Sequence, residues 1–260
     1  MTASIRRTVL VLTVALACTP VATLASDPHA SSPAPTATIA PAKAVPADKG
    51  KVTRPVTTEP DTRPWATLLT GNRRFVRGEH LVRPVRELRQ ELAKGQHPDV
   101  IVLTCSDSRL SPEILFDQPI GELFVVRTAG NLVDPIALGS IEYAVEHLHA
   151  KLLVVMGHER CGAVDAALAG GTMPTENLEA IVRKIRPGIP PARPGASKDA
   201  LLQDAIEANV RRSATDCVVA SPIVREHVVH GSLAVVQAIY RLASGEVEEL
   251  RASEPAADAH

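Results

Sequence analysis

Three short apolar runs, VIVLT, LFVV and LLVVM, constrain the fold of this chain more than any other feature. None alternates apolar with polar residues. Each must therefore be buried on both faces, the condition of a strand inside a mostly parallel sheet covered by helices. They predict strands over 99–104, 123–126 and 152–156. Between and around them lie helical patterns. TLLTGNRRFVRG carries Leu68, Leu69, Phe75 and Val76 as one stripe, with Gly78 as a stop. VRELRQELAKG follows, with Pro84 in its first turn and Gly95 as its cap. Further helices are predicted over 136–148, 161–169, 175–185, 201–213 and 222–229. A Pro/Gly loop fills 187–198, and two final strands, 233–238 and 247–250, flank a turn at Ser244-Gly245. The reading is an α/β domain over 63–252, a mostly parallel central β-sheet flanked by helices. Aromatics are only 2% of the chain, so the core is expected to be aliphatic.

The segments outside that domain have other compositions. In residues 1–25, Arg6 and Arg7 precede an apolar run, and small residues follow. This is the order of a secretory signal peptide, so the protein is expected to be exported to the periplasm or secreted. Cleavage after Ala25 would release a soluble protein. In the alternative, Ala15-Leu16-Ala17-Cys18 acts as a loose lipobox, and a lipid on Cys18 would be the protein's membrane contact. Residues 26–62 are rich in Pro, Ala, Thr and Ser and read as a disordered linker. Residues 253–260 read as a flexible tail. Lys plus Arg is 28 and Asp plus Glu is 29, a net charge of -1, which argues against a nucleic-acid partner.

The chemistry-bearing residues gather just past two of the buried strands. The first strand runs into Cys105-Ser106-Asp107-Ser108-Arg109, the third into Gly157-His158-Glu159-Arg160-Cys161-Gly162. In open α/β sheets, ligands bind outside the carboxyl ends of strands. If the two strands are neighbours, Cys105, His158 and Cys161 converge. Two thiolates and an imidazole suit a tetrahedral Zn2+ with one open position, the catalytic pattern. A Cys105–Cys161 disulfide is the rival in an oxidising compartment, but it leaves His158 and the Asp-x-Arg unexplained. Asp107 and Arg109 can form a bidentate pair that keeps the carboxylate off a metal and available as an acceptor. Cys217 reads as a buried packing thiol.

CSDSR followed by GHERCGAV resembles the β-class carbonic anhydrases. The resemblance extends from WATLLTGNRRF (65–75) through AGN (129–131), IEYAV (141–145) and EANV (207–210) to GEVEEL (245–250). It implies an enzyme with one Zn2+ per subunit, held by Cys105, His158 and Cys161, that hydrates CO2 to bicarbonate and a proton through zinc-bound hydroxide. Asp107 and Arg109 are implied as its gating and orienting dyad. It also implies a substrate pocket of Gln96, Phe124, Ala129, Tyr143 and Gly162. Gln96, Phe124 and Tyr143 would be presented across the interface of a homodimer or larger assembly. Val102 and Thr104 stand where one subclass carries the Trp and Gly of an inhibitory bicarbonate site, so an open form without that switch is expected. His97, His147 and His149 are proton-shuttle candidates by position alone. Two thiolates make the bound water less acidic than in an all-His site, so activity should rise with pH. Rival functions are hydrolysis of carbonyl sulfide or carbon disulfide on the same fold, a non-catalytic zinc or bicarbonate-binding module, and a redox dithiol protein.

Overall fold

Among the described residues, four of five strands run parallel and the fifth lies antiparallel at one edge of the sheet. The computed structural model describes residues 63–250. The expected signal peptide (1–25, with Cys18), linker (26–62) and tail (253–260) lie outside the described residues. The strands are β1 (Val100–Cys105), β2 (Leu123–Thr128), β3 (Leu152–His158), β4 (Ala234–Tyr240) and β5 (Val247–Glu249), in the sheet order β2-β1-β3-β4-β5. Every residue of β1 and β3 is buried, as their uninterrupted apolar runs require. Thr104 is the polar exception in β1, and its hydroxyl donates to the Met156 carbonyl of β3 at 2.9 Å.

The helices are α1 (Arg63–Val76), α2 (Val85–Leu92), α3 (Pro112–Leu115), α4 (Pro135–Glu146), α5 (Gly162–Ala169), α6 (Glu176–Ile185), α7 (Lys198–Ala220) and α8 (Pro222–Val229). Local chemistry sets several starts. The Asp134 carboxylate accepts from the Ala137 N–H at 2.7 Å, with Pro135 in the first turn of α4. Ser197 caps α7 and Ser221 caps α8 in the same manner. Among the described residues, no helix is long and apolar enough to cross a membrane.

Some elements differ from the sequence expectation. α2 ends at Leu92 instead of running to Gly95, and Pro84 lies just before it. The short α3 was not anticipated; it delivers Leu115 and Phe116 to the core. The core is not wholly aliphatic either, because Trp65 meets Phe116 edge-on with ring centroids 6.3 Å apart. α7 is 23 residues long, well beyond 201–213. Its buried face is Ala205, Ile206, Asn209, Val210, Ser213, Ala214 and Cys217, one continuous helical stripe. A polar member, Ser213, interrupts the apolar pattern and conceals that continuity in the sequence. α7 presses on β3 so closely that a Cβ on Gly157 would lie 2.5 Å from Val210 Cγ2.

Asn72 ties the amino-terminal helix to the far end of the chain. Its amide donates to the carbonyls of Leu115 (3.0 Å) and Gly245 (2.9 Å), and its oxygen accepts from the Val247 N–H (2.9 Å). The β4–β5 turn is thereby fastened to α1. This matters because the same turn reaches the site described next.

Candidate metal centre

β1 and β3 are hydrogen-bonded neighbours, with Thr104 opposite Met156. Cys105 and His158 therefore leave the sheet side by side at its carboxyl edge. Arg160 adopts a left-handed conformation (φ 51°), which turns the chain back so that Cys161 immediately precedes α5. The ligand atoms of Cys105, His158 and Cys161 all lie within 4.8 Å of one another, and all three residues are buried. A tetrahedral zinc with ordinary bond lengths needs such atoms about 3.5–3.8 Å apart, so a small contraction suffices. Cys105 and Cys161 carry free thiols rather than a disulfide.

The imidazole is already set for a metal. His158 Nδ1 is 2.8 Å from the Glu159 carbonyl oxygen, which can only accept, so Nδ1 carries the proton. That leaves the Nε2 lone pair free, and Nε2 is fully buried without a hydrogen-bond partner. A buried acceptor with nothing to accept is costly unless something binds it. The donor set of one imidazole and two thiols fits Zn2+. Donation from the Cys161 thiol, with help from the Gly130 N–H, pushes the Cys105 thiol down. The Cys161 thiol is pushed up, first because it gives its proton to Cys105 and then by burial.

Backbone and side-chain donors hold the first cysteine and the dyad. The Gly130 N–H donates to Cys105 Sγ at 3.3 Å. Gly130 can do so because it takes a left-handed φ of 70°, and a Cβ there would stand 3.1 Å from Ile185. Asn209, from α7, donates to the Gly130 carbonyl at 2.8 Å and so fixes that turn. Arg127, at the end of β2, donates to the carbonyls of Cys105 (3.2 Å) and Asp107 (2.7 Å). Asp107 and Arg109 form a two-pronged pair, Nε to Oδ1 at 2.8 Å and Nη2 to Oδ2 at 2.6 Å. The guanidinium holds the Asp107 carboxyl well below the usual carboxylate range, aided by the Arg109 backbone N–H. Asp107 Oδ2 is 3.9 Å from His158 Nε2, beside the donor set.

The remaining expected pocket residues divide by distance. Ala129 directly follows Thr128, the β2 partner of Cys105, and Gly162 is the first residue of α5, so both border the metal centre. Gln96 precedes β1, at the opposite end of the sheet. Phe124 pairs with Ile101, four residues before Cys105, or roughly 13 Å along the strand. Tyr143 accompanies Phe124, their ring centroids 6.4 Å apart. These three do not join the metal centre of their own chain. Cys217 is fully buried in α7, where burial pushes its thiol up to about 12. Sequence reading assigned no role to Arg127, Gly130, Asn209 or Glu159. For Asn209, a polar residue within an otherwise apolar helical stripe was the available signal.

A mostly parallel sheet that presents two thiols and an imidazole at its carboxyl edge, beside an arginine-held carboxylate, defines an α/β protein with a site that could hold a metal ion. Residues 100–247 match the family model described as carbonic anhydrase. Carbonic anhydrase 2 of Mycobacterium tuberculosis is 40% identical over 195 residues, which cover 72% of this chain and 92% of the relative. A carbonic anhydrase of Mycolicibacterium smegmatis is 41% identical over 191 residues, covering 71% and 90%. Among solved structures, the Coccomyxa β-carbonic anhydrase in complex with acetazolamide superposes with a TM-score of 0.58 at 30% identity, covering 73% of this chain and 86% of that one. The chain belongs to the carbonic anhydrase family, in its β class.

Proposed function

We propose that this protein catalyses the reversible hydration of carbon dioxide to bicarbonate and a proton, with one Zn2+ held by Cys105, His158 and Cys161. The observation that carries this reading is the free, buried Nε2 of His158 facing two thiols within 4.8 Å, next to Asp107. Zinc bound there supplies a Lewis acid that polarises water for attack on the carbon of CO2.

The chain's own residues do the rest. Asp107 is ionised and fixed by Arg109, so it serves as a hydrogen-bond acceptor aimed at the open side of the donor set. Arg109 keeps that carboxylate from turning inward to become a fourth ligand. Gly162 opens α5, so its N–H belongs to the positive end of that helix, which favours developing negative charge on oxygen. Gln96, Phe124 and Tyr143 act from a second copy of the chain in a homodimer or larger assembly. Within one copy they sit at the far end of the sheet. Among the described residues β2 is an edge strand, and Ile136 (80% exposed) and Tyr143 (47%) lie on the adjoining helix. Residues 1–25 direct export to the periplasm, with Cys18 as the alternative lipid attachment; mass spectrometry of the mature amino terminus tests this.

The decisive experiment is stopped-flow CO2 hydration with zinc measured on the same sample, and carbonyl sulfide assayed alongside. The expected result is about one zinc per chain and hydration that acetazolamide inhibits. Cys161→Ser should lose both zinc and activity. A zinc-loaded parent that leaves CO2 unhydrated would overturn the reading.

A further inference from the structure

The metal-binding histidine is steered by a residue that touches neither metal nor substrate. The Glu159 carbonyl receives the His158 Nδ1 proton and so decides which ring nitrogen is left for the metal. A free loop carbonyl would be a poor guide, because it rotates with its peptide. Glu159 is anything but free. Its N–H donates to the Tyr240 carbonyl at 3.2 Å, extending the β3–β4 ladder by one residue. Its carboxylate accepts from the Leu242 N–H at 3.0 Å and from Arg241 Nη1 at 3.2 Å.

Arg241 is anchored in turn. Its Nε and Nη2 both donate to Glu248 Oε2, at 2.9 and 2.7 Å. Its backbone closes the β4–β5 turn, with its N–H on the Glu246 carbonyl and its carbonyl accepting from Gly245. The Glu159 side chain is thus fastened to that turn, and its backbone N–H to the last residue of β4. Its carbonyl is left to point at His158.

We infer that Glu159 and Arg241 form a clamp that positions His158 for metal binding by fixing the Glu159 carbonyl against its Nδ1–H. These are positioning residues. The inference rests on the reading of Cys105, His158 and Cys161 as metal ligands, but its test also has a metal-free arm. Removing the clamp lets the Glu159 peptide rotate. The ring then loses its tautomer and orientation, and the metal leaves more readily.

Zinc release to a chelator is followed in the parent, Glu159→Ala, Glu159→Gln, Arg241→Gln and the double variant Glu159→Ala/Arg241→Gln. Ring 15N shifts of His158 are recorded on each metal-free protein. Loss of partners outside the ligand set lowers metal affinity about 10–100-fold. Release about 10-fold faster is expected in Glu159→Ala and Arg241→Gln, no faster in the double variant. Glu159→Gln, which keeps the acceptor for Leu242, should stay close to the parent. In the metal-free protein the parent should show Nδ1–H alone, and Glu159→Ala a mixture of tautomers. Parental zinc release and tautomer in Glu159→Ala, or additive losses in the double variant, would overturn the clamp. A parent that binds no zinc would instead overturn the ligand assignment, while the ring shifts still report on the clamp.

Discussion

In the proposed reaction Asp107 carries two conflicting demands: it must stay ionised beside a metal, and it must not ligate it. The bidentate Arg109 answers both. Arg109→Ala should keep its zinc and lose about 100-fold in kcat/KM, the scale of a misplaced reacting group. Arg109→Lys should not restore it, since an ammonium cannot meet both carboxylate oxygens. The pH consequence follows from the direction of the shift. The folded carboxyl is held below its unfolded value of about 3.9. Its stabilising contribution is therefore fully present above that value and is lost only as the pH falls through the folded one. Carbon-13 NMR of the Asp107 carboxyl in the metal-free protein should show no titration from about pH 4 to 8. A step in that window would mean that the pair is broken in solution. The dyad and the ligand types were legible because their chemistry is written at short spacing, Cys-x-Asp-x-Arg and His-x-x-Cys. Gly130, Arg127 and Asn209 were not, because their partners lie 25, 22 and 79 positions away.

The packing of α7 on β3 sets how well the His158 end of that strand is held. Val210 fills the space beside Gly157 and is itself fully buried, so it has nowhere to retreat. Gly157→Ala should cost about 1–3 kcal/mol of overpacking and also weaken zinc binding, because the next residue is His158. Denaturant unfolding and chelator competition on the same variant check both parts. Asn72 offers the contrast. Its three hydrogen bonds are structural, so Asn72→Ala should lose about 3 kcal/mol of stability with hydration per bound zinc unchanged. The strands and most helices followed from periodicity and caps. The length of α7 did not, because Ser213 occupies a core-facing position as a polar residue and mimics the end of a stripe. Trp65 and Phe116 were hidden for another reason: a low aromatic count says nothing about where the few aromatics go.

The assembled protein should need its partner copy for catalysis. Ile136 is 80% exposed beside the β2 edge, so Ile136→Glu should leave one folded chain undisturbed. Sedimentation should nevertheless show dissociation, with loss of hydration because Gln96, Phe124 and Tyr143 no longer face a metal centre. A parent that sediments as an active monomer at assay concentration would sink the idea. The net charge of -1 and an uncharged substrate give salt little to screen. kcat/KM should vary less than about twofold as ionic strength rises through the range where the Debye length falls from about 30 to 8 Å.

Two of the three donors end strands that pair through the middle of the sheet, and the third, Cys161, sits on the short turn into α5. Small zinc domains fold only when loaded. Here a sheet with two wholly buried strands supplies a core of its own, so loading and folding should be separate events. Dialysis against a chelator should yield a protein that still melts in one cooperative transition, and added zinc should restore hydration without refolding. On the proposed reading, a chain built this way would be emptied and refilled throughout its working life, and its activity would track the zinc around it rather than the history of its folding.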